Sequence, residues 1–169
     1  TLYAALFPDR VGHLILDGAV DPSESGDATS VGQLIGFDSA LKAYLKNCLA
    51  QSNCPFEGSV EQAQEKIRKF LLSAETKSLK NDDDEKREVT VWAIETGMMM
   101  ALYSNDYWTY LTDAFTESFD SQNGTTFQRL ADYYNDRGED GHYISNLDEA
   151  NIAISCIDER NDFSDEALS

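Results

Sequence analysis

Leu6-Phe7-Pro8-Asp9-Arg10-Val11-Gly12-His13-Leu14-Ile15-Leu16-Asp17-Gly18-Ala19-Val20-Asp21-Pro22 is the stretch whose punctuation decides the reading of the chain. Pro8 has no N–H to donate and pushes Phe7 out of the helical region, so a helix should end there. Asp9 and Gly12 suit the turn that follows. His13 to Leu16 is a short apolar run of the kind that fits a strand buried on both faces, as in a parallel sheet. Asp17-Gly18 closes that strand, and Asp21-Pro22 marks a second break.

Downstream, the apolar period is helical. After a small, polar linker the spacing predicts a helix capped at Thr29 or Ser30 and carrying Val31, Leu34, Ile35, Leu41, Tyr44, Leu45 and Cys48, with Gly36 as its weak point. Ser59-Val60-Glu61-Gln62 reads as a capping box opening a second helix with Ala63, Ile67, Phe70 and Leu71 inward. Ala74 to Glu88, with its run Asn81 to Glu88, reads as a solvated loop. A helix over Val89 to Tyr103 follows, with Val91, Ile94, Glu95, Met98 and Leu102 on one side. Ser104 caps the next, and another begins after Asn123-Gly124 and stops at the glycine of Asp136-Arg137-Gly138. Asn123-Gly124-Thr125 matches a glycosylation sequon, although Asn-Gly is better explained as a turn. A last helix starts near Asp148, and Arg160 to Ser169 is an acidic tail.

A chain of 169 residues holds one domain. Its net charge of −18 repels phosphate backbones and argues against nucleic-acid binding. The same field attracts cations, among them the free amino end of a peptide, but serves solubility equally well. No apolar run reaches membrane-spanning length. Regularly spaced calcium ligands are absent from the acidic run, and neither His13 nor His142 has a helical partner for zinc, so no metal and no cofactor is expected. Cys48 and Cys54, on either side of a short turn, are close enough in sequence to be bridged, and three reduced thiols are the alternative; Cys156 is left over.

The segment "YAALFPDRVGHLILDGAVDP" resembles the region after the nucleophile elbow in α/β-hydrolases of the tripeptidyl aminopeptidase and proline iminopeptidase type. "ALYSNDYW" and "AISCID" are similar to the cap of those enzymes and to its return toward the hydrolase core. The resemblance implies a mainly α fold: a helical cap, or lid, with one short strand near the N-terminus. It divides the chain into a core remnant over 1–22, the cap over 23–147, and a return segment with the tail over 148–169. It also implies that Cys48 and Cys54 pair, that Cys156 bonds to a later cysteine, and that the home is extracytoplasmic or secreted. The chain opens inside the expected helix, so the Gly-x-Ser-x-Gly elbow is expected upstream, and the acid and histidine downstream.

No catalytic residue is therefore expected here. His13 sits in the apolar strand and His142 in a polar loop, neither beside a recognisable nucleophile. The resemblance implies a binding role instead, with acidic cap residues receiving the free amine of a peptide substrate. Glu95, on an otherwise apolar helix, is the first candidate for substrate binding. Asp17 and Asp21, after the strand at the edge where ligands of open α/β sheets lie, come second. A solvated Glu95 or one paired with lysine, and turn capping by the two aspartates, are the plain alternatives. A strand over Leu14 to Leu16 without neighbours should pair with another copy or fold onto the helices. The rival functions are a lipase- or esterase-type lid and a stand-alone helical binding module.

Overall fold

A computed structural model describes residues 2–17 and 26–158. Among these residues the fold is mainly α: helices α1 (Leu2–Leu6), α2 (Gly26–Cys48), α3 (Val60–Ala74), α4 (Val91–Leu102), α5 (Trp108–Ser121), α6 (Thr125–Tyr134) and α7 (Leu147–Asp158). Ladder pairing among them is confined to isolated bridges.

The core of the bundle is aromatic. Phe115 on α5 is fully buried and lies within 5.0 to 6.5 Å of the rings of Phe56, Phe127, Phe119, Phe70 and Tyr44. These rings come from α2, the loop after it, α3, α5 and α6, so one side chain joins most of the bundle. Edge-to-face pairs of this kind add about 0.5–1.5 kcal/mol each beyond area burial. Lys66 closes the cluster on its outer side, its ammonium 3.9 Å from the Phe119 centroid while donating to the Pro55 carbonyl.

The local signals hold where chemistry is local. Ser59 and Gln62 form the reciprocal capping box at α3. Cys48 and Cys54 are bridged across the turn between α2 and α3. Closing so small a loop stabilises by about 2–2.5 kcal/mol in the chain-entropy picture. Pro8 ends α1 and opens a 3₁₀ turn over Pro8–Arg10.

Elsewhere tertiary contacts overrule the expectations. The strand expected over His13 to Leu16 has no ladder partner among the described residues, and Ile15 is 96% exposed. It has not folded onto the helices either. A parallel-sheet strand needs neighbours on both sides to satisfy its amides, and these residues offer none. Helix α2 begins at Gly26, earlier than the expected cap, and runs unbroken through Gly36.

The acidic run is not a free loop. Leu79 and Val89 exchange backbone hydrogen bonds at 2.9 Å, and Gly124 donates to the Lys80 carbonyl. Asp83 accepts from Nε and Nη2 of Arg129, each at 2.6 Å, and Asp132 accepts from both terminal nitrogens of Arg87. Arg129 accordingly holds the Asp83 carboxyl below its usual range. Asn123 is 7% exposed, its amide nitrogen donating to Asp82 and its oxygen accepting from Thr125. Both ends of that amide are engaged, so the sequon is a structural turn and its nitrogen is closed to glycan attachment in the folded chain. A Cβ on Gly124 would lie 2.9 Å from Val89, which is why glycine stands there. The stop after α6 is likewise made by Asp136, at φ 52°, and not by Gly138; short polar side chains tolerate this left-handed geometry.

Phe115→Ala removes the hub and should cost about 3–5 kcal/mol in denaturant unfolding. Tyr44 is buried, its phenol pushed up to about 12 by desolvation. Because the folded value lies above the unfolded one, stability is intact below pH 10 and falls as pH rises toward 12, by on the order of 2 kcal/mol. Tyr44→Phe should flatten that alkaline limb in urea melts at stepped pH.

Candidate functional site

Helix α4 is the element on which a site can be built. Its inner side carries Ile94, Gly97, Met98, Met100 and Ala101, all buried. A Cβ on Gly97 would lie 2.6 Å from the Phe127 carbonyl, so glycine lets α4 lie directly on α6. That close approach fixes the rotation of α4 about its axis. At 3.6 residues per turn, Trp92, Glu95 and Met99 then share the opposite, open side, with Tyr103 continuing the row past the last turn. Trp92 is 75% exposed and Tyr103 62%.

The row is anchored at one end. Tyr103 stacks on Tyr134 of α6 at 6.1 Å and meets Phe37 of α2 edge-on at 5.4 Å. A hydrogen bond with Tyr103 raises the Tyr134 phenol, and one with Tyr133 raises Tyr107. Glu95 is half-buried in the row and has no ion-pair or hydrogen-bond partner among the described residues. It keeps company with Trp92 and Met99, not with Ile94 and Met98, which turn into the core. Of the three consecutive methionines, Met98 and Met100 are core and only Met99 reaches the open side. A carboxylate flanked by an exposed indole and a thioether can receive an ammonium group by a charge-assisted hydrogen bond.

The other candidates are not gathered there. Asp17 is exposed and has no partner joining it to the bundle; Asp21 lies outside the described residues. His13 and His142 are both exposed, and neither imidazole is hydrogen-bonded among the described residues. A concavity of about 830 Å³ lies apart from this row, between the 81–87 loop, α6 and the 137–141 turn. Its guanidinium groups are already committed: Arg87 and Arg137 to Asp132, Arg129 to Asp83. It serves as a staple. Trp92 and Tyr103 escape a reading that asks only which acid lies on an apolar helix. Their signal is the spacing of large rings three before and eight after Glu95.

No protein-family model matches the chain. Over 162 residues, 93% of its length, the chain is 33% identical to the serine protease Hip1 of Mycobacterium tuberculosis, of which it spans 31%. It is also 31% identical over 152 residues to the carboxylesterase B of the same organism, 90% of this chain and 29% of that one. The likeness is to hydrolases. It supports the α/β-hydrolase relationship expected from the sequence, and the chain spans less than a third of the relatives it matches. With no nucleophile–base pair among the described residues, the isolated chain should give no turnover of p-nitrophenyl acetate or peptide anilides above buffer, measured by absorbance.

Proposed function

We propose that this chain is the substrate-gating lid of a serine exopeptidase of the α/β-hydrolase type, inert alone, roofing a pocket whose nucleophile lies outside it. The observation that carries the reading is the distribution of uncovered apolar surface. The middle of the bundle is closed around Phe115, whereas Leu14, Ile15 and Leu16, the first half of α2 (Val31, Leu34, Ile35) and α7 (Ile152, Ile154, Ile157) are exposed. Exposed apolar surface on this scale is the mark of an interaction face. These segments lie on either side of the helical bundle in sequence, where a hydrolase body would meet a cap. The division into a core remnant over 1–22, a cap over 23–147 and a return segment over 148–169 follows from the same reading. The similarity to a serine protease over most of this chain, but under a third of the relative, supports it.

In this reading a lid excludes water and admits only certain substrate ends. Glu95 binds the free amine of the peptide, with Asp17 and Asp21 as the second candidates for substrate binding. The bridge between Cys48 and Cys54 suits an oxidising, extracytoplasmic setting. A second reading, the lid of an esterase, is favoured by the carboxylesterase relative. Glu95→Gln in the full-length protein separates the two. The peptidase reading expects kcat/KM for peptides with a free amine to fall by about 10–100-fold, as for loss of one charge-assisted hydrogen bond, with neutral esters unchanged. An unchanged kcat/KM for both substrate kinds on going to the variant would favour the esterase.

A further inference from the structure

Residues 88–128 carry six carboxylates (Glu88, Glu95, Asp106, Asp113, Glu117 and Asp120) and not one lysine or arginine. The same stretch supplies Trp92 and Tyr103 to the open row of α4, and Tyr110, 55% exposed, to α5. The arginines that flank it, Arg87 and Arg129, are spent on Asp132 and Asp83. Cation–π contact is used elsewhere in this fold, where Lys66 covers Phe119, but among the described residues no cation covers Trp92 or Tyr103. An indole with this exposure beside an unpartnered carboxylate presents an electron-rich ring and a negative charge to the same visitor. Both favour a cation, and a neutral side chain gains only the ring.

We propose that the Trp92–Glu95–Met99–Tyr103 row selects peptides bearing a lysine or arginine side chain in addition to their free amino group. The cationic head lies over Trp92 or Tyr103, and its methylene stem lies along Met99. The proposal rests on the lid reading only in taking this open side of α4 as the one that meets substrate.

The test uses the chain itself and four probes: Lys-Ala-Ala-amide, norleucyl-Ala-Ala-amide, and the N-acetyl form of each. Binding is read from the indole N–H signals of Trp92 and Trp108 in two-dimensional NMR. The lysyl peptide should bind about tenfold more tightly than the norleucyl one, shifting Trp92 and not Trp108, and added salt should shrink the difference. Trp92→Ala and Glu95→Gln, both surface changes checked for folding by circular dichroism, should each remove most of the lysine advantage, read for Trp92→Ala from the backbone amides of α4. Equal affinity of lysyl and norleucyl peptides, or no saturable shift with any probe, overturns the proposal. If acetylation abolishes binding while lysine and norleucine remain equal, the amine-reading role of Glu95 stands and this proposal falls. If acetylation changes nothing while lysine keeps its advantage, the reverse holds.

Discussion

Six aromatic rings meeting at Phe115 are the constraint on which the rest of the bundle depends. Each of helices α2, α3, α5 and α6 sends a ring there, and Phe56 arrives from the loop that the Cys48–Cys54 bridge closes. None of these helices could bury its apolar side alone. Once they converge, the positions of the helix ends and of the loops between them are largely determined. The hub explains why the middle of the chain is closed while its flanks remain open.

The candidate site is a by-product of how the core closes. Gly97 lets α4 rest on the Phe127 carbonyl, and Ile94, Met98 and Ala101 fill the space beneath. Whatever stands on the far side of α4 must then face outward, so Trp92 and Glu95 are presented rather than buried. The stacking of Tyr103 on Tyr134 ties the end of that row to α6. A helix holds a carboxylate and two rings in a more fixed arrangement than a loop would. The forked pairs Arg87–Asp132 and Arg129–Asp83 hold the preceding loop against α6, which steadies the entry into α4.

Much of the secondary structure was legible because its causes lie within a few residues. Pro8 stops a helix by its own ring, and Ser59 with Gln62 caps one by their own side chains. The apolar period located the helices from α2 to α7, while the spacing of Cys48 and Cys54 made a bridge feasible and no more. The misreadings share one physical origin. His13 to Leu16 has a strand's composition, but a strand is completed by neighbours that these residues do not contain. Asn81 to Glu88 looks solvated because its charges are visible in sequence and their partners on α6, Asp132 for Arg87 and Arg129 for Asp83, some 45 residues away, are not. Glu95 was legible as an unusual acid on an apolar helix, yet which of its neighbours shared its face was not.

The sequence by itself determined that the chain is helical, acidic and without a recognisable nucleophile, since each of these follows from residue type, period or motif; it left the Cys48–Cys54 bridge feasible, and the structure closed it. Only the tertiary structure decided which side of α4 faces outward, that the acidic run is pinned, and that Asn123 is a buried turn residue. Those outcomes depend on contacts between residues distant in the chain, and packing around Phe115 and Gly97 chooses among arrangements that local propensity leaves equal.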